Sequence, residues 1–359
     1  MSRKGQTLPI PRKLQTNDRL DASLAALQTR GSLNLVAAIR AFVVLVLLVA
    51  VGASSAAEIN GPLPDRLFPA DNWWNTDISW APVDDNSDAY INFINNGSSQ
   101  WLHPTLGHEM WPGSDETFGQ PYITVNWSQP KQLVNFFYWQ ESDGAGSYFY
   151  PIPDEAIWQA HWIQGGWPGN VDHRWDCDRH MIIVDVDNNY LYELWNVYFD
   201  EGTWQWYAGS GAFFDMNTNN RRPEGWTSAN AAGSAILPSL VRYDEAYGPG
   251  EINHAFGVTV RATNGYVYPA SHRTSRIPGA LPLGARLRLK SWVDISYFPP
   301  ECQNIFRAMK TYGLIVQDNG GDMDIPGTFD PRWNNDIMNP CFHSLTAWDF
   351  EVIQLGWHP

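Results

Sequence analysis

Short segments that alternate apolar and polar residues, each closed by Gly, Pro, Asn or Asp, recur from Pro121 to Lys290. A period of two buries one face of a strand, and the turn formers end each strand after a few residues. The reading that follows is a mainly β chain, a β-sandwich or jelly-roll-like single domain. Met181 to Val186 reads as a strand, Asp187 to Asn189 as its turn, and Tyr190 to Val197 as the return. Asp200 to Gly202 then leads into Thr203 to Tyr207, the third strand of a meander. Asn264-Gly265, suited to the positive φ of a hairpin turn, separates His254 to Ala262 from Tyr266 to Pro269. Leu283 to Lys290 alternates so that Arg286, Arg288 and Lys290 share the solvent face.

One C-terminal helix is expected. Pro299-Pro300-Glu301 starts it, Ile305, Ala308, Met309 and Tyr312 form its apolar stripe, and Gly313 stops it. Leu314 to Val316 follows as a buried strand, and weaker helical turns are expected at Ser87 to Asn95 and Ser228 to Leu237. No repeat or linker divides residues 58–359, which read as one domain with an irregular wrap over 58–120.

The apolar run Ala41 to Val51 follows Arg40 and leads into the small residues Gly52 to Ala57, which is the anatomy of a signal peptide. The run is too short to span a bilayer as a helix. Residues 1–57 are therefore expected to be a leader cleaved after Ala57, giving a secreted protein without a permanent membrane anchor. An exported chain permits disulfides, and of Cys177, Cys302 and Cys341 the expected pair is Cys302 with Cys341.

Seven of the 23 basic and two of the 38 acidic residues precede Glu58, so the remainder carries a net charge of about −20. Such a surface disfavours nucleic acid, whose binding depends on Lys and Arg displacing counterions. An anionic glycan would need a local basic groove, for which Arg286, Arg288 and Lys290, or His272, Arg273 and Arg276, are the candidates. All 19 tryptophans lie after the leader. Indole stacks on the C–H faces of sugar rings. The expected partner is thus a polysaccharide or oligosaccharide, with Trp73, Trp74, Trp167, Trp204 and Trp206 as candidate contacts. Trp204 and Trp206, two apart, are expected on one strand face.

Asp176-Cys-Asp-Arg-His180 stands at the entrance to the strongest strand. In an extended chain Asp178 and His180 share a face, so the carboxylate can orient the imidazole for acid or base work, with Arg179 contacting substrate. Glu141 and Asp143 follow the aromatic strand Phe136 to Trp139, and Asp318 ends a buried strand. Any of these three can supply the second carboxylate that glycoside hydrolysis requires. Gln317 to Asp324 is rich in oxygen ligands and leaves room for a structural calcium, although it lacks the EF-hand spacing and is more simply a polar turn. No zinc, nucleotide or nicotinamide signature is present.

Phe68-Pro-Ala-Asp-Asn72 with Trp74-Asn75, Asp178 to His180, Ala208 to Gly211, Gly225 to Ala229, Val241 to Glu245, Asp318 to Gly320 and Asp330 to Trp333 together resemble a family of secreted bacterial proteins of unassigned activity. The resemblance implies export and one continuous domain, and no mechanism. The chain departs from the family pattern at Glu141 to Pro153, which is longer, and at Cys177, where the pattern has glycine. The leading expectation is a glycoside hydrolase with a Trp-lined groove. The alternatives are a polysaccharide lyase built on His254 with Arg242 or Tyr243, a non-catalytic glycan-binding protein, and a structural protein whose tryptophans are all core.

Overall fold

A computed structural model describes residues 57–114, 117–166 and 177–359. The leader ahead of Ala57 and Trp167 lie outside the described residues. Met181–Asp185 is the most apolar strand and is buried along its whole length. Its neighbours explain why: it lies at the centre of a five-stranded sheet in the order Glu58–Ile59, Tyr122–Val125, Met181–Asp185, Tyr190–Trp195, Ser210–Asp215. Ile182, Val184 and Leu191 face one core with Trp74, Leu237 and Leu240. Met181, Ile183 and Leu194 face another with Val134, Phe199 and Trp206. A strand covered on both faces reads as a continuous apolar run.

Val134, Phe199 and Trp206 belong to a four-stranded sheet in the order Tyr148–Tyr150, Gln132–Phe136, Gln205–Ala208, Tyr198–Asp200. A third, six-stranded sheet runs Phe350–Val352, Arg286–Leu289, Leu314–Asn319, Phe256–Val260, Asp324–Phe329, His103–Gly107. The largest apolar cluster covers it with the helices Pro300–Thr311 and Asn335–His343. Cys302 and Cys341 join these two helices in a disulfide, the expected pair.

Strand therefore predominates over helix, as expected, and among the described residues no sheet closes into a barrel. All three sheets are mixed rather than purely antiparallel. Tyr122–Val125 runs parallel to Met181–Asp185, Phe256–Val260 to Leu314–Asn319, Asp324–Phe329 to His103–Gly107, and Gln132–Phe136 to Gln205–Ala208. Alternation alone does not distinguish parallel from antiparallel neighbours.

The helix expected after Pro299 is present over Pro300–Thr311, and Ser87–Asn95 is a full helix. Asn335–His343 is an additional helix that carries Pro340 in its interior and is started by the Asn334 side chain accepting from the Asp336 N–H. Ser228 to Leu237 is not helical apart from its end, where a 3-10 turn begins at Leu237. The meander breaks at Asn196, whose φ is +54°, so Tyr190–Trp195 pairs with Ser210–Asp215 while Gln205–Ala208 joins another sheet. Asn264-Gly265 turns with Gly265 at φ +75°, but its flanks pair elsewhere: Phe256–Val260 with Leu314–Asn319, and Tyr266 with Leu283. Residues 58–120 are less irregular than expected, supplying a strand to each of two sheets.

Glu193 is fully buried on the core strand, where its carboxylate accepts the backbone N–H groups of Ile236 and Leu237 at 2.8 to 2.9 Å. Burial pushes its pKa up to about 7, against the opposing pull of those N–H groups and of Arg222. A raised carboxyl pKa stabilises the fold below the unfolded value, and that contribution is lost as pH rises through the folded value. The thermal midpoint is accordingly expected to fall between pH 4.5 and about pH 7, and Glu193→Gln to flatten that slope. Calorimetry of both proteins across the range checks it, and equal slopes would show that burial does not raise the Glu193 pKa above its unfolded value.

Candidate functional site

The three sheets meet at a cleft of about 380 Å3 walled by Tyr138, Glu141, Asp178, Trp195, the Thr227–Ala231 segment, His272 and Asp318. Each sheet delivers one carboxylate. Glu141 stands in the 3-10 turn Trp139–Glu141, beyond the strand Gln132–Phe136. Asp178 precedes Met181–Asp185, and Asp318 lies near the end of Leu314–Asn319. Glu141, Asp178 and Asp318, expected from the sequence as alternatives, thus line one cavity.

A local irregularity aims Asp318. Val258 pairs with Val316 but Thr259 with Asp318, so Gln317 is the extra residue of a bulge. Gln317 turns inward and donates to the Ser234 hydroxyl and the Ala235 carbonyl. Gly257 makes this possible, because a Cβ there would lie 2.1 Å from the Gln317 side-chain oxygen. Asp318 then accepts the N–H of Ala231 at 3.0 Å and of Asn319 at 2.7 Å. Burial pushes its pKa up to about 6 despite those two bonds, the neighbouring Asp178 charge adds to the rise, and His180 opposes it.

Arg222 holds the opposite wall. Its buried guanidinium donates to the Asp143 carboxylate, to the Glu141 carbonyl at 2.6 Å and to the Thr227 carbonyl at 2.5 Å. Asp143 also accepts the Phe213 N–H at 2.8 Å. It is the partner of Arg222 and does not line the cleft, which corrects its expected catalytic role. Glu141 accepts the Thr227 N–H at 3.2 Å.

His180 is a second correction. Arg179 has φ +50°, so the segment is not extended and Asp178 does not orient the imidazole. The His180 nitrogens instead meet the Gln164 side-chain oxygen at 2.7 Å and the Ala229 carbonyl at 2.9 Å. The ring is buried and supports the cleft wall from behind. Asp178 receives the Trp195 indole N–H at 3.4 Å. Arg179 is fully buried and donates to the Val197 carbonyl at 3.1 Å, so it is no substrate contact.

Most of the expected tryptophan contacts are core. Asn72 caps the 3-10 turn Trp73–Asn75 by accepting the Trp74 N–H, and this turn drives both Trp73 and Trp74 into the interior. Trp206 is buried against Phe199. Trp204 is exposed, but it sits in a turn at φ +57° beside Trp158 and not in the cleft. Of the two expected basic groups the first does not stand open: Arg286 is buried and donates to the Trp73 carbonyl, Arg288 pairs with Glu351, and Lys290 reaches the Trp348 carbonyl. In the second, His272 lines the cleft while Arg273 and Arg276 are exposed outside its lining. His254 meets Glu245 at 3.0 Å, and Glu245 also pairs with Arg242, so the cation a lyase would direct at a uronate is already neutralised.

In the loop considered for calcium, Asp322 is engaged by Arg261 at 2.5 Å. Among the described residues no group of three or more His, Cys, Asp or Glu is placed to hold a metal ion. The aromatic walls Tyr138 and Trp195 and the buried Arg222 escape sequence reasoning. Tyr138 lies in the aromatic run already read as a strand, whereas nothing local marks Arg222.

Arg222→Ala is expected to cost about 3–5 kcal/mol of stability, because it strands Asp143 and removes the tie between two cleft walls. Joint removal with Asp143→Ala should recover part of that loss. Urea unfolding of the three variants measures both, and a loss below about 1 kcal/mol for Arg222→Ala would contradict the clamp.

Comparison of the chain with protein-family models, with curated proteins and with solved structures finds no match in any of the three.

Proposed function

We propose that the protein is an exported glycoside hydrolase that cleaves a neutral polysaccharide in the cleft between its three sheets. The observation that carries this reading is Asp318, a carboxyl raised to about 6 that shares a small cavity with Asp178 and Glu141. Hydrolysis of a glycosidic bond needs a proton donor and a separate carboxylate. Asp318 protonates the glycosidic oxygen as the bond to the anomeric carbon breaks. Asp178 or Glu141 takes a proton from the water whose oxygen bonds to that carbon, or attacks the carbon first and is then displaced by water. The cavity volume lies within the range of small-ligand sites. Among the described residues neither Lys nor Arg lines it, which favours an uncharged sugar.

Export is supported by the apolar run ahead of Ala57 and agrees with the Cys302–Cys341 disulfide. A sandwich-like pairing of the four-stranded sheet with the five-stranded one is supported by their shared core of Val134, Trp206, Met181 and Ile183. Calcium is not invoked.

The purified protein is to be incubated with neutral and uronic polysaccharides while new reducing ends and unsaturated products are followed. Reducing ends without unsaturation are expected, with kcat falling as pH rises past about 6 because the donor loses its proton. Asp318→Asn should lower kcat by about 10²- to 10⁴-fold and remove that alkaline limb. Unsaturated products would replace hydrolysis with elimination. No product from any glycan, with the protein retained on an insoluble one, would leave binding without catalysis.

A further inference from the structure

Next to the carboxylate cleft lies a groove of about 510 Å3, and the two share Tyr138 and Trp195 as a common wall. These rings are 6.3 Å apart and inclined by 30°. Strand register explains the rest of the lining. Asn135 pairs with Tyr207, and Tyr207 with Tyr198, across three neighbouring strands. Val134, Trp206 and Phe199 form the adjacent row, and all three point into the core. Period two therefore turns Tyr198 and Tyr207 outward. Their rings stack with centroids 5.3 Å apart and 12° between planes. Phe137, 77% exposed, is brought alongside by its N–H bond to Ala208, and Tyr138 by its bond to Gly209. Gly209 also lets Trp195 lie close, since a Cβ there would be 2.3 Å from the indole.

From this geometry we infer that the groove is a subsite for successive neutral sugar units of the chain being cleaved, so that the enzyme acts within a glycan rather than on a disaccharide. The inference rests on the hydrolase reading for the position of the cut, and on the groove alone for binding. Three observations select the occupant. The groove continues into the cleft through two shared rings, so one extended ligand spans both. Among the described residues its lining holds no charged side chain, so a uronate or sulfate finds no counter-ion there. Aromatic faces with phenol hydroxyls and the amides of Asn135 and Asn196 match the alternating C–H faces and hydroxyl rims of a sugar chain.

The test uses hexasaccharides and disaccharides of several neutral glycans with the wild-type protein, with Tyr207→Ala and Phe137→Ala, and with Trp292→Ala, an exposed aromatic outside the groove. Tyr207→Ala and Phe137→Ala are each expected to raise KM for the hexasaccharide by about tenfold, with a smaller effect on the disaccharide, while Trp292→Ala changes neither. Hydrolysis with KM unaltered in the groove variants would overturn the subsite and leave the hydrolase reading standing. If no glycan is cleaved, calorimetric binding of the hexasaccharides decides. Affinity lost in Tyr207→Ala would uphold the groove and end the hydrolase reading, and absence of binding would end both. A concentration-dependent dimer abolished by Tyr207→Ala, without any glycan affinity, would assign the groove to a second copy of the chain and overturn the inference.

Discussion

The cleft depends on a single buried cation. Arg222 reaches the Asp143 carboxylate and the carbonyls of Glu141 and Thr227 with one planar guanidinium. Those acceptors come from two segments that no strand ladder connects, the turn after the aromatic strand and the wall segment before Ala231. A lysine has the charge but not the fork needed to meet divergent acceptors. Remove the fork, and among the described residues only the Thr227 N–H bond to the Glu141 carboxylate still ties the two segments. Asp143, whose sequence neighbourhood resembles half of a catalytic pair, supplies the countercharge that makes burial of this cation affordable.

Two other buried charges act on the same wall. Glu193 accepts the N–H groups of Ile236 and Leu237, and Asp318 accepts that of Ala231. Both carboxyls are raised by burial, so each destabilises the fold once ionised. Their consequences differ with position. Glu193 is sealed and only fixes the wall, whereas Asp318 borders the cavity, where a proton retained near pH 6 has a route to a ligand. This is the stability cost expected where a group is tuned for proton transfer.

Much of the fold was legible because periodicity and turn chemistry are local. The strand Met181–Asp185, the turn to Tyr190 and the helix after Pro299 all follow from nearby residues. What was not legible is non-local. Asn196 breaks the meander through a positive φ that Asn tolerates but does not announce. Pro340 inside a helix contradicts the usual meaning of proline as a breaker, whereas Pro104 sits on an edge strand, where proline is tolerated. The site divides in the same way. Glu141, Asp178 and Asp318 stand at strand ends, where such residues can be suspected one at a time. Their convergence rests on the bulge at Gln317 and the reach of Arg222, neither of which has a sequence period.

Tryptophan content gave a partly misleading signal for a physical reason. Indole is the largest apolar side chain, and on a strand with one face covered it is drawn into the core, as Trp206 is against Phe199. The outward position next to it belongs to Tyr207, a ring whose hydroxyl tolerates water. Gln205–Ala208, between core and solvent, thus carries Trp206 inward and Tyr207 outward at adjacent positions, whereas Tyr150 and Tyr192 on other strands are buried. On this strand the ring that faces the groove is therefore the tyrosine next to the buried tryptophan. Trp195 is turned toward the cleft, where its indole N–H donates to the Asp178 carboxylate at 3.4 Å and a polar partner offsets the incomplete burial of the ring.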